Sequence, residues 1–380
     1  MKWFGRKAAR ETGRPFLFAP WRGAAWFGSS PIAAAEPWPR SYEAQVREAY
    51  LGNPIAQRSV RLVAESVAWA PVFASGVADG ASAERLAPPA LLETVATQLL
   101  LHGNAFVQIL QNAEARPAEL FALRPERVAI EADAAGWPAA YRYKVGETIH
   151  RIPVRDGLGR AGLLHLKAAH PLDDHYGLGC LGAAAGAVAV HNAAAKWNKA
   201  LLDNAARPSG ALVYETGDGA ALSTDQFDRL RREMDAQFAG AANAGRPLLL
   251  DGGLKWQAMS LTPADMDFVA LKATAARDIA LAFGVPPMLL GLPGDSTYAN
   301  YKEANRSLWR LTVLPMADRI LRGLGDALAA WWPGLRLEVD LDRISALAEE
   351  RGQLWQQASA ADFLSTAEKR AMLGFEGSAP

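Results

Sequence analysis

The stretch 178–206 constrains this chain most. It is Ala-rich and mostly free of Pro, which predicts one long helix of roughly 40 Å at about 1.5 Å per residue. A second long helix is predicted from Thr262 to about Phe283. Thr262 stands as N-cap, Pro263 takes the first helical position and Asp265 the third, and Gly284-Val285-Pro286-Pro287 stops the run. Between the two lies a compact insert. Arg207-Pro208-Ser209-Gly210 breaks the first helix, and a strand over 211–215 follows. A helix over 224–239 is opened by the capping box Ser223…Gln226, and strands over 247–250 and 254–261 complete the insert. Two long helices bracketing a small insert suit a subunit that packs beside copies of itself.

The flanking segments predict an α+β chain. Residues 41–69 read as helix, with a restart at Asn53-Pro54. Residues 89–101 read as a helix closed by His102-Gly103-Asn104. Strands are expected over 105–111, near 119–131, and over 140–145 and 163–168. After the Gly/Pro/Ser-rich connection 291–297, a third long helix is expected over 298–331, kinked at Pro315. Helices over 341–358 and 366–373 close the chain, the last opened by the box Ser365…Glu368 and ended at Gly374.

Charge narrows the function classes. Lys and Arg number 40, Asp and Glu also 40, which argues against a DNA-coating protein or an acidic tail protein. The balance is uneven along the chain. Residues 1–40 carry seven Lys or Arg against Glu11 and Glu36, with Trp3, Trp21, Trp26 and Trp38 among Pro and Gly; they read as a basic, Trp-rich arm. The single cysteine, Cys180, excludes an intramolecular disulfide and suits a reducing compartment. No transmembrane helix and no signal peptide are expected.

Motifs that carry chemistry give no enzyme. Gly177-Leu178-Gly179-Cys180-Leu181-Gly182 matches the dinucleotide-binding pattern by letter. The strand that should precede it ends near Lys167, and Asp203 lies on the same helix. Glycines at the entry of a closely packed helix are the plainer reading, with a dinucleotide-binding enzyme as the alternative. Gly291–Thr297 lacks the Lys of a phosphate loop. His165, His170 and His175 recur at five-residue spacing around Pro171, which suits no paired helical metal site. No catalytic residue, cofactor or metal is expected.

Several segments, in order, resemble the portal proteins of tailed double-stranded-DNA phages, in the branch of long-tailed phages, prophages and gene transfer agents. They are Gly52-Asn53-Pro54-Ile55 through Ala70-Pro71-Val72, His102-Gly103-Asn104-Ala105-Phe106, and Leu123-Arg124-Pro125-Glu126-Arg127-Val128. Tyr176-Gly177-Leu178-Gly179 and Arg207-Pro208-Ser209-Gly210 follow. The densest likeness runs from Gly245-Arg246-Pro247-Leu248 through Ile279–Pro287, then Leu290-Gly291-Leu292 and Ser296-Thr297-Tyr298-Ala299-Asn300.

The resemblance implies a portal-type subunit. Residues 41–176 would be the first part of the wing, 177–208 and 262–287 the stem helices, and 209–261 the clip. Residues 288–300 would form the tunnel loop, 301–339 the kinked helix and wing return, and 340–380 a short helical crown. It implies a homo-oligomeric ring, usually of twelve, at one capsid vertex. The ring would pass double-stranded DNA and meet the large terminase, a head–tail adaptor and the major capsid protein; it would be cytoplasmic during assembly. The lumen would be lined by Lys272, Arg277, Ser296, Thr297, Tyr298, Asn300 and Lys302. For the two stem charges the alternative is pairing with Asp267 or Asp278 of a neighbouring subunit. Arg229, Arg231, Arg232 and Glu233 on the clip helix would contact partners. A ring or adaptor scaffold with no DNA in its channel is the other alternative.

Overall fold

The computed structural model describes residues 41–76, 83–203, 210–214, 223, 225–229, 232, 254–258, 268–292 and 298–374. The basic arm, the 247–250 strand, the Thr262 cap and most of the clip helix lie outside the described residues. Two units divide the chain. One holds the described parts of Val60–Gly182 and Tyr298–Pro380, the other those of Trp38–Ser59 and Ala183–Thr297.

The described strands in chain order are β1 (Val72–Ser75), β2 (Asn104–Gln111), β3 (Pro117–Leu123), β4 (Val128–Ala132), β5 (Pro138–Val145), β6 (Thr148–Pro153), β7 (Leu163–Lys167), β8 (Gly210–Tyr214), β9 (Leu254–Ala258) and β10 (Arg336–Val339). In the first unit they form three antiparallel sheets, ordered β3-β2-β7, β4-β5-β6 and β1-β10. Phe106 on β2 lies at the centre of a core with Leu123, Val128, Tyr141 and Leu163. Its ring stacks on His165 at 4.3 Å and meets Tyr141 edge-on at 5.9 Å. Burying such a side chain contributes about 1.5–3 kcal/mol. The helix Pro89–His102 buries Leu91, Leu92, Val95, Ala96, Leu99 and Leu100, the three-to-four spacing of one helical face. The helix Leu314–Leu328 buries Ala317, Ile320, Leu321, Leu324 and Leu328 on the same principle.

One polar residue locks this unit together. Asn104 is fully buried at the start of β2. Its Oδ1 accepts from the Gly177 N–H at 2.7 Å and from His165 Nε2 at 3.0 Å. Its Nδ2 donates to the Gly177 carbonyl at 3.1 Å and to the His102 carbonyl at 3.3 Å. Around it the backbone is in close contact. Gly103 ends its helix at φ +79°, and a Cβ on Gly179 would stand 2.4 Å from the Leu101 carbonyl oxygen. The Cys180 N–H then donates to Leu100 O at 2.8 Å as the chain enters the helix Leu181–Asp203. Gly177 and Gly179 of the dinucleotide-like pattern are therefore explained by backbone packing, whereas a Cβ on Gly182 would meet nothing within 4 Å.

Most predicted elements appear within a few residues of their expected ends, and some differ. The 41–69 helix is Tyr42–Val46, a π turn Arg47–Leu51 and the helix Pro54–Ala68. The 298–331 helix is split by a π turn at Trp309–Val313, immediately before the segment that carries Pro315 at its second position. Pro315 lacks the N–H that would continue the hydrogen-bond ladder, and the π turn lies directly before it. The 341–358 stretch begins as two 3-10 turns, Leu341–Arg343 and Ser345–Leu347, and becomes helical at Ala348. Strands β1, β6 and β10 were not expected; β1 and β10 pair across more than 250 residues, with Val72 opposite Val339. The box Ser365…Glu368 closes reciprocally, as its letters suggest. Among the described residues no helix is long and apolar enough to cross a membrane.

Replacing Asn104 by Leu leaves both backbone groups of Gly177 buried without their partner, so the loss should be about 2–6 kcal/mol, at about 1–3 kcal/mol for each orphaned group. Urea unfolding checks this; a loss under 1 kcal/mol would show that the network is dispensable. The second expectation concerns acid. Burial, then Lys167, His102 and His175, push His165 down to about 3 from its ordinary 6.5. The unfolded chain therefore binds the extra proton first as pH falls below about 6.5. The neutral-ring stability is complete above that pH and is lost towards about 3, at about 1.4 kcal/mol per pH unit. Unfolding between pH 6.5 and 4.5 should show this slope in the wild type and a shallower one in His165→Gln.

Candidate channel and docking residues

In the second unit a buried amide sets the geometry. Asn53 is 1% exposed and caps the helix Pro54–Ala68, its Oδ1 accepting from the N–H groups of Ile55 and Ala56, both at 3.0 Å. That fixes which end of the amide is oxygen. Nδ2 therefore donates to Asn192 Oδ1 at 2.8 Å and to His191 Nδ1 at 3.1 Å. Asn192 in turn donates to Glu48 Oε1 at 2.9 Å and to the Glu48 carbonyl at 3.1 Å. The helix Leu181–Asp203 is thus tied by hydrogen bonds as well as by its buried Ala184, Val188 and Ala194. Near its end Trp197 stacks on Phe268 at 4.4 Å with an interplanar angle of 3°, fixing the start of the helix Phe268–Ala282.

That helix has two kinds of face. Ala275, Ala276, Ile279 and Ala280 are buried. Leu271, Thr274, Arg277, Asp278 and Leu281 are exposed, Leu281 at 76%. Lys272, half-buried, lines a cavity of about 620 Å³ with Ile55, His191, Phe268, Ala276 and Leu292. Burial, and then the Lys272 charge, hold His191 below the usual histidine range.

The residues expected around the tunnel loop fall differently. Ser296 and Thr297 lie outside the described residues, and Tyr298 opens the helix Tyr298–Leu308. Asn300 is exposed on its first turn. Lys302 pairs with Glu349. It begins a ladder in which Arg306 reaches Glu349 at 3.3 Å and Glu350 at 3.5 Å, and Arg310 reaches Glu350 at 3.2 Å. Three cations at four-residue spacing on one helix face thus meet two adjacent glutamates of the helix Ala348–Ala360. Lys302 and its hydrogen bond hold Glu349 below the usual carboxylate range.

On the clip, Ser223 and Gln226 form the expected box, with Gln226 N donating to Ser223 Oγ at 3.3 Å and Ser223 N to Gln226 Oε1 at 3.0 Å. Arg229 and Arg232 are exposed, and Arg232 Nε donates to the Asp228 carbonyl at 3.2 Å. Arg231 and Glu233 lie outside the described residues. Burial pushes the Cys180 thiol up, so it is no ready thiolate. His165 and His175 take up core positions; His175 is 3% exposed with neither ring nitrogen partnered among the described residues. Sequence reasoning missed Asn53, His191, Asn192 and the glutamate pair. The visible signals were an Asn before a helix-opening Pro, and two adjacent polar residues within an Ala-rich helix.

The model of the phage portal protein family matches residues 54–374. An uncharacterized protein of Rickettsia felis (strain ATCC VR-1525 / URRWXCal2) is 42% identical over 351 residues, covering 86% of this chain and 88% of that protein. The probable portal protein of Streptomyces phage phiC31 is 25% identical over 320 residues, covering 78% and 69%. A chain in the neck of a native gene transfer agent particle, computed with C12 symmetry, superposes with a TM-score of 0.66 at 46% identity. That alignment covers 90% of this chain and 95% of the other. The chain belongs to the phage portal protein family.

Proposed function

We propose that this chain is the repeating subunit of a portal ring, a non-enzymatic conduit for double-stranded DNA at one capsid vertex. The observation that carries the reading is the 46% identical chain in a particle neck of C12 symmetry, aligned over 90% of this one. In this reading 177–208 and 262–287 are the stem, 209–261 the clip, 288–300 the tunnel loop and 340–380 a short crown. Arg277, Ser296, Thr297, Tyr298, Asn300 and Lys302 line the passage; Lys272, half-buried in its cavity, is left to the alternative expectation of pairing with a neighbouring subunit. Arg229, Arg231, Arg232 and Glu233 face the large terminase and the head–tail adaptor in turn, and the wing, 41–176, meets the major capsid protein. Assembly takes place in the cytoplasm.

The charge pattern supports a passage through which DNA slides. Each phosphate neutralised by a free cation adds affinity through counterion release, and many such contacts would hold the duplex. Here Lys302, Arg306 and Arg310 are already answered by Glu349 and Glu350. What remains near the loop is mostly hydroxyl and amide, which contact phosphates without gripping them or reading sequence.

Replacing 297–302 by Gly and Ser should leave particle number unchanged and lower nuclease-protected DNA per particle at least tenfold. The ladder is tested separately by Glu349→Gln, which uncovers the Lys302 charge and should lower packaging more at low salt than at high salt. Unaffected packaging in the loop replacement would remove the tunnel assignment, and a Glu349→Gln effect that does not change with salt would remove the charge-cancelling role.

A further inference from the structure

The helix Phe268–Ala282 carries a cationic cavity on one side and an acidic, apolar stripe on another. Leu271, Thr274, Asp278 and Leu281 follow one another at three- and four-residue spacing, and all are exposed. Leu271 is 45% and Leu281 76% exposed. Two leucines flanking a carboxylate make a poor solvent face and a good partner face. Lys272 is six residues before Asp278, which is about 9 Å of rise and about 120° of rotation round the helix at 100° per residue. The two cannot meet within one helix.

The cavity calls for an acceptor. Asn53 Nδ2 donates to His191 Nδ1, because the amide oxygen is committed to capping Ile55 and Ala56. The neutral His191 ring therefore carries its proton on Nε2. His191 and Lys272 share a cavity whose other lining is one amide, Asn198, and mostly apolar side chains, Ile55, Phe268, Ala276 and Leu292 among them. Neither Lys272 nor Asp278 forms an ion pair with a described residue. The walls suit an apolar side chain and the two donors suit a carboxylate.

We propose that the occupant is a second copy of this chain: Asp278 of one subunit, carried between Leu271 and Leu281, seats against Lys272 and His191 of its neighbour. The inference rests on the ring reading and gives it a specific contact. Cavity and stripe are different surfaces of one subunit, so the contact is head-to-tail, the kind that closes into a ring. A closed ring allows no axial step between copies. The 9 Å offset, about six residues of helical rise, is taken up by the reach of the Lys272 and Asp278 side chains and by any inclination of this helix to the ring axis.

Charge reversal tests it. K272E alone and D278K alone should each lower the ring fraction at least tenfold, measured by native mass spectrometry of the purified full chain. Mixing the two variants should restore rings, because every interface of an alternating ring again pairs opposite charges. Restored rings should contain equal numbers of the two masses. The contact is overturned if single reversals assemble as wild type, or if K272E/D278K in one chain assembles while the mixture does not, which would mark an intrachain pair. If the wild-type chain forms no ring at all, the ring reading fails and the contact with it. Should a reversal lower the melting temperature of the subunit, K272M and D278N decide instead. Coupling requires the double variant to assemble no worse than either single, and additive losses would overturn it.

Discussion

The buried carboxamide of Asn104 is the interaction on which the rest of the first unit depends. A single side chain fixes both backbone groups of Gly177 and receives the His165 ring. It thereby joins the end of the helix Pro89–His102, the first residue of β2, and the loop that leads into the helix Leu181–Asp203. Inside a protein each of these bonds is costly to leave unmade. The close backbone approach at Gly179 adds a steric condition to the polar one. Together they set where the long helix starts, and so where its exposed and buried faces begin.

A similar economy of polar anchors recurs in the second unit. Asn53 both caps one helix and selects the His191 tautomer on another. A subunit that works only as part of a ring has limited core of its own. Hydrogen bonds with a single geometry orient its long helices without demanding large side chains on the Ala-rich faces. The leucines left exposed beside Asp278 are then the surface that neighbouring copies would cover. The Lys302–Arg310 ladder follows the opposite logic. Each exposed pair contributes little to stability; in the proposed reading its larger effect is to cancel charge where a passing polyanion would otherwise be held.

Much of the secondary structure was legible because its signals are local. The boxes at Ser223 and Ser365, the Asn53-Pro54 restart and the Gly103 stop each act within four residues of themselves, and each is formed. Strands β1 and β10 were illegible because neither run alternates strongly, and their pairing partner is more than 250 residues away in sequence. The start of Ala348–Ala360 was misplaced because Asp340 caps a short 3-10 turn, with its Oδ1 accepting from Asp342 N, and so delays the helix. The glycine pattern at 177–182 read as a possible cofactor motif because its letters cannot distinguish a glycine that admits a phosphate from one that admits another backbone. Lys302 was visible as a helix cation, but not the glutamates 47 residues on that answer it. Family membership was legible because it is spread over many short segments whose order, more than any one of them, is specific.

The central claim is that copies of this chain close into a channel at a single place on a particle. Cryo-electron microscopy of particles containing the chain, reconstructed without imposed icosahedral symmetry, tests it most directly. The expected result is one ring of this chain at one vertex, with the helices Leu181–Asp203 and Phe268–Ala282 around a central passage wide enough for a duplex. Density for the chain at every vertex, or its absence from the neck, would contradict the claim.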